Sequence, residues 1–334
     1  MKQKDPDLLL LHAPLLRQGM TTPSAMRDVL YALAPATFAA LWFFGLGALL
    51  VIGASILGAV LAEWLFTVSQ QRGESLLDAS AILTGLLLGL TLPPGLPLWM
   101  AFLGGLAAIG LGKVIWGGLG HNLFNPALLG RAFLLAAFPI PMTTWTSVRG
   151  SEGFFHVSAS NLALPFMQTK VDVVSSASPL GLMKFDQEVT PLMNLILGNT
   201  TGSLGETSGL LLLLGGIYLW LRRDLDWRIP VSIILTVVVF SGCLILIDPV
   251  RFPSPLFSVF SGGMLLGAIY MATDPVTSPV TPRGTWIFGI GVGLLVILIR
   301  VFGGLPEGMM YSILLMNAAT PLIDRYTQPR IFGR

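Results

Sequence analysis

Charge is scarce in this chain: Asp, Glu, Lys and Arg make up 11% of its 334 residues, against about 25% in soluble domains. So little charge cannot cover a solvated globular surface. Cysteine is almost absent. The single Cys243 excludes an intramolecular disulfide and a Cys-ligated iron–sulfur cluster held by this chain alone, and its apolar setting predicts a small core residue. No strand leads into G-x-G-x-x-G and a helix, and no G-x-x-x-x-G-K-[ST] occurs. Nothing in the sequence would therefore oxidise NADH or hydrolyse ATP. Basic residues form no run with interleaved aromatics, so the net charge of +2 is no nucleic-acid footprint. His121 has no second His or carboxylate at metal-ligand spacing, which reads as a polar interface residue. A cleavable signal peptide is missing too: residues 1–24 hold Lys2, Lys4 and Arg17 without a continuous apolar core. The first apolar span is expected to act as its own insertion signal.

Apolar residues are abundant instead, at 54% of the chain with a mean hydropathy of +0.78. A bilayer core about 30 Å thick needs about 20 mostly apolar residues per helix. Ten such stretches are readable: 27–44, 46–67, 77–92, 97–116, 125–139, 207–222, 229–248, 255–273, 284–303 and 308–325. The expectation is an all-α polytopic membrane protein: a tail over 1–24, a transmembrane domain over 25–326 with a long loop at 140–206, and a second tail over 327–334.

Lys and Arg concentrate on the cytoplasmic side of membrane proteins. With ten spans and both termini inside, fourteen of the 19 basic residues face the cytoplasm; Arg149, Lys170, Lys184, Arg251 and Arg300 do not. Loop 140–206 is thus expected outside. Glu63, Asp78, Lys113, Arg131, Asp248 and Arg300 fall near span ends, where interfacial snorkelling accounts for them. Functional roles are the other reading, with Asp78 and Arg131 the foremost candidates for cation passage or flavin binding.

An internal echo runs through the spans. Ser80-Ala-Ile-Leu-Thr-Gly85-Leu-Leu-Leu-Gly89 is matched by Ser258-Val-Phe-Ser-Gly-Gly263-Met-Leu-Leu-Gly267, and the two would run in opposite directions. Two inverted five-helix halves would meet around any buried ligand; chance likeness of Gly-rich apolar helices is the other reading.

Three polar segments interrupt the apolar pattern. Asp172-Val-Val-Ser175-Ser176-Ala177-Ser178-Pro179 puts hydroxyls beside a proline, ordinary turn chemistry or a modification site. Gly117-Gly-Leu-Gly-His121-Asn122-Leu-Phe-Asn125-Pro126-Ala127 enters the fifth span. Asn125 with Pro126 suits a helix cap, while Asn122 and Asn125 also offer amides to a ligand at a helix start. Met271-Ala-Thr273-Asp274-Pro275-Val276-Thr277-Ser278-Pro279-Val280-Thr281-Pro282-Arg283-Gly284 joins spans eight and nine. Irregular backbone beside a membrane is tolerated where it lines a cavity. A rigid turn or an oxygen-rich site around Thr273 and Asp274 both fit.

Together these segments resemble the RnfD and NqrB family of membrane subunits over about residues 25–325, and the short tail before the first span is closer to RnfD than to NqrB. The resemblance implies a subunit of an ion-translocating electron-transport complex linking ferredoxin and NAD to Na⁺ or H⁺ movement. It also implies covalent FMN, joined through its phosphate to the last hydroxyl of D-x-x-[ST]-[GS]-A-[TS], here Ser178, with Asp172, Ser175 and Ala177 in the recognition motif. A non-covalent riboflavin and the Asn122, Asn125, Thr273 and Asp274 segments belong to the same expectation. Implied partners are an extracytoplasmic FMN subunit, iron–sulfur and further membrane subunits, and a flavin transferase working outside the cytoplasm. The family acceptor is typically Thr; this chain has Ser178. A flavin-free channel or carrier for a small solute is the alternative from another class.

Overall fold

The computed structural model describes residues 21–67, 72–146, 148, 154, 155, 157–165, 175–249 and 252–328. Among them ten helical elements follow the expected spans closely: α1 Thr22–Phe44, α2 Leu46–Phe66, α3 Ser80–Leu90, α4 Leu98–Ile109, α5 Pro126–Ala137, α6 Gly209–Arg222, α7 Arg228–Ile247, α8 in two pieces, Pro255–Phe260 and Met264–Leu266, α9 Pro282–Phe302 and α10 Met309–Thr327. Starts are set by local chemistry. Thr21 and Ser24 form a capping box ahead of α1, Ser208 caps α6, and Thr281 followed by Pro282 opens α9, each satisfying backbone N–H groups that a helix leaves free.

Three helices, α2, α7 and α9, are both long and apolar enough to cross a membrane by length and composition. Others are interrupted. At 1.5 Å per residue the 11 residues of α3 reach about 16 Å, about half of a bilayer core, and an irregular segment, 91–97, follows it. A π-helical turn, Gly110–Val114, ends α4. The span read as 255–273 is broken: Pro255–Phe260 stops at Ser261, Gly262 takes a positive φ of 63°, and Met264–Leu266 runs into a second π turn, Gly267–Met271. Glycine meets that φ without a Cβ penalty.

Packing repeats between the halves. α2 lies against α3 and α4, and α4 against α5; in parallel, α7 lies against α8 and α9, and α9 against α10, while α1 pairs with α6 across the middle. Five helices per half is an odd number, so successive halves enter from opposite faces. Small residues permit the closest approaches: a Cβ on Gly105 would stand 2.2 Å from Ser55 O, and one on Gly289 would stand 1.7 Å from Ser232 Oγ. One buried apolar cluster runs through both halves, with Leu33, Leu88, Leu134, Met264 and Phe288 fully enclosed. Phe38, Trp42, Leu57, Leu221, Leu246 and Ile247 point outward. An outside as apolar as the inside is what a lipid solvent requires. Cys243, expected in the core, is exposed on α7 instead, because the apolar stretch around it has two apolar faces and only one is packed.

Candidate functional site

The acceptor loop is built by a short antiparallel ribbon, Trp145 opposite Ser176 and Thr146 opposite Ser175. Thr201 Oγ1 donates to Ala177 O at 2.7 Å, fixing the chain beyond the ribbon. Ser178 follows and caps the turn Pro179–Gly181, its Oγ accepting from Gly181 N at 3.2 Å. The residue is buried. It borders a cavity of ≈ 460 Å³ with Arg131, Trp145, Phe185, Glu307 and Tyr311 on its walls. Of the remaining motif residues, Ala177 also lines this cavity, Ser175 is described through its backbone alone, and Asp172 lies outside the described residues.

Lys184 anchors the floor of this face. Its ammonium donates to the carbonyls of Arg300 at 2.9 Å, Leu305 at 3.2 Å and Gly303, tying the turn after Ser178 to the segment between α9 and α10. Burial holds the ammonium below the ordinary lysine range.

At the opposite end of the bundle, where α1 begins, the other two polar segments meet. A cavity of ≈ 110 Å³ there is lined by Ser80, Lys113, Asn122, Asn125, Thr273 and Asp274, among others. The structure therefore brings together four residues that lie about 150 positions apart in two pairs, and separates all four from Ser178. Asn125 is the cap its sequence suggested: Oδ1 accepts from Ala127 N at 3.0 Å and Leu128 N at 3.3 Å, and Nδ2 donates to Met271 O at 3.1 Å. Both ends of its amide are engaged. Asn122 donates to Phe124 O at 3.4 Å and keeps a buried Oδ1 without a partner among the described residues. Asp274 accepts from Thr277 Oγ1 at 3.1 Å and Val276 N at 3.4 Å, bracing its own turn, and Thr273 Oγ1 bonds back to Ile269 O. His121 is exposed.

Several participants were missed by sequence reasoning. Asn317 on α10, almost wholly buried, accepts from Asn125 N at 3.1 Å and donates to Thr277 O at 3.3 Å, while Thr320 Oγ1 donates to Thr277 O at 3.0 Å. Polar residues within an apolar helix were the available signal. Glu63 and Lys113, expected to snorkel, are buried as a pair at 2.6 Å; Lys113 Nζ also donates to Ser80 Oγ at 2.7 Å and lies 3.9 Å from Asp78. Ser75 adds its hydroxyl to the same Glu63 oxygen. Arg131 is likewise buried, bonded to Thr91 O and paired with Glu307. It stands on the Ser178 side of the bundle, the face opposite to the one expected for it. Charge inside a bilayer is stabilised by such pairing as well as by reaching the interface.

Comparison with known proteins is consistent across the chain. The NQR2, RnfD, RnfE family matches residues 10–333. The D subunit of the proton-translocating ferredoxin:NAD(+) oxidoreductase complex of Clostridium ljungdahlii is 41% identical, covering 96% of this chain and 95% of that protein. The D subunit of the ion-translocating oxidoreductase complex of Stutzerimonas stutzeri is 42% identical over 92% and 91%, and that of Halorhodospira halophila 37% over 97% and 95%. With its helix order, its two polar segments joined at one cavity and its hydroxyl loop at another, this chain belongs to the NQR2, RnfD, RnfE family.

Proposed function

We propose that this chain is a membrane subunit of a redox enzyme complex of the Rnf type, carrying electrons through FMN joined to Ser178 and thereby assisting Na⁺ or H⁺ translocation. One observation carries the reading: the motif's acceptor hydroxyl borders a cavity of ≈ 460 Å³ with aromatic walls and an arginine. Those residues fit the group. Trp145, Phe185 and Tyr311 offer apolar faces for a ring system, Arg131 offers a cation toward phosphate or an electron-rich ring edge, and Ser178 Oγ offers the oxygen of a phosphodiester. When bound, the flavin supplies one- and two-electron exchange, which no side chain here provides. The chain's own part is to hold, orient and partly dry that group, with Glu307 fixing Arg131 on the cavity wall.

Riboflavin is the group proposed for the second cavity, where the buried, unpartnered Asn122 Oδ1 would accept from a ring N–H. The Lys and Arg distribution supports both termini in the cytoplasm and the Ser178 face outside a bacterial inner membrane. The partners that follow are ferredoxin- and NAD-linked iron–sulfur subunits, an extracytoplasmic FMN subunit, other membrane subunits and a flavin transferase; the names of the C. ljungdahlii and S. stutzeri relatives support a complex of this kind.

The test is coexpression of the unmutated chain with a competent flavin transferase. In-gel flavin fluorescence after denaturation, with an intact mass raised by one FMN less one water, is the expected result; an unlabelled chain would leave the flavin-free channel or carrier. At the other cavity, Asp274→Ala is expected to lower electron transfer or complex assembly while Ser178 keeps its flavin, since the carboxylate holds the turn that borders the site. Normal turnover in an assembled complex would reduce that segment to a rigid turn.

A further inference from the structure

Between the Ser178 cavity and the break in α8 lies a cluster of buried polar groups. Arg131 and Glu307 form its outer wall and are shared with the Ser178 cavity. Behind them is a second space of ≈ 30 Å³ bordered by Arg131, Ser203, Gly263, Arg300 and Glu307. About 10–15 Å³ suffices for one water, so this space has room for one or two. Glu206 flanks it, with Oε1 3.5 Å from where a Cβ on Gly263 would stand.

Polar atoms without partners gather here. Ser203 Oγ, Glu206 Oε1, Ser261 Oγ, Arg300 Nε and Glu307 Oε1 are all buried and unbonded among the described residues. Ser203 and Ser261 are respectively 1% and 0% exposed, and Ser203 Oγ lies against the Glu206 carboxylate without hydrogen-bond alignment. Buried polar groups are almost always satisfied, and four of these, on Ser203, Glu206, Arg300 and Glu307, around one water-sized space call for a shared partner. The charges are arranged unequally. Arg131 pairs with Glu307, while Arg300 spends its donors on the carbonyls of Ser258 at 2.6 Å and Ser261 at 3.0 Å, freed by the helix break. Glu206 has no cation bonded to it among the described residues.

We propose that Glu206, Ser203 and Glu307 form a buried proton-binding site bridged by internal water, holding one exchangeable proton between two carboxylates. Exchange is balanced and moves no electrons. The O–H bond on Glu206 breaks as its proton passes to Ser203 Oγ, whose own proton passes to the water, and a water proton goes to Glu307 Oε1. Burial first and the Glu307 charge second push the Glu206 carboxyl up to about 7; Arg131, Arg300 and Lys184 are the other charged groups facing this region. Because the Arg131–Glu307 wall is common to both cavities, a charge change at Ser178 would be felt at this proton. That coupling rests on the flavin reading, whereas the proton site itself does not.

The experiment is pH-jump infrared difference spectroscopy of the full chain in lipid nanodiscs, in H₂O and D₂O. A protonated-carboxyl C=O band that shifts in D₂O is expected, lost in Glu206→Gln and retained in Glu188→Gln, an exposed carboxylate of the same face. In Glu307→Gln the band should persist with its pH midpoint lowered, since removing a neighbouring negative charge eases ionisation. If Glu206→Gln does not fold, Glu206→Asp should keep the band at a shifted position. Persistence in Ser178→Ala separates this site from the flavin. Carboxylates ionised throughout about pH 5–9, or a band indifferent to both Glu206→Gln and Glu307→Gln, would overturn the proposal.

Discussion

Ser178→Ala is expected to remove all covalent flavin from this chain while leaving the protein inserted and folded. The loss should be complete because the substitution deletes the one oxygen at the acceptor position of the motif. The structural cost should be small: the Ser178 hydroxyl also caps a single short turn, and losing a cap costs about 1 kcal/mol. Ser178→Thr keeps the hydroxyl and should keep the label, since its added methyl only restricts rotation about χ1. In-gel fluorescence reads label and size exclusion reads folding. A label that survives Ser178→Ala but disappears in Ser175→Ala or Ser176→Ala would move the attachment point within the loop.

The second large effect is expected at the opposite cavity. Lys113→Met should destabilise the chain by about 3–5 kcal/mol, because it leaves the Glu63 carboxylate buried without its cation. Total stability of a folded protein is about 5–15 kcal/mol, so this single change should sharply cut the amount of protein recovered from membranes and lower its melting temperature in detergent. The double variant Glu63→Gln with Lys113→Met replaces both charges and should recover most of the loss. A double variant no more stable than Lys113→Met alone would show that the pair contributes through something besides mutual neutralisation, such as the Ser75 and Ser80 hydroxyls bonded to it.

Much of the architecture was legible beforehand because lipid imposes a simple rule: each crossing needs a long apolar run, and ten runs were there to be read. The helix start at Asn125 was legible too, because its cap makes local hydrogen bonds; Thr21, Ser208 and Thr281 cap by the same chemistry. What failed was burial of charge. Glu63, Lys113 and Arg131 each sit near a span end, and snorkelling was a sound expectation for each taken singly; their partners lie 50 residues away for Lys113 and 176 for Arg131, beyond any local pattern. Cys243 failed for a related reason, since a helix apolar all round does not announce which face is packed.

By itself, then, the sequence determined the membrane class, the helix order, the hydroxyl loop and the two polar signature segments, all properties of contiguous residues reading a local period or motif. Only the tertiary structure decided that Asn122 and Asn125 share a cavity with Thr273 and Asp274, that Ser178 is enclosed beside Arg131 and Glu307, and that α8 breaks where Arg300 takes up its freed carbonyls. The physical reason is that these are pairings between elements distant in sequence, several of them across the two halves. Their free energy comes from desolvated charges and amides meeting their complements, and which complement is met depends on how ten helices pack.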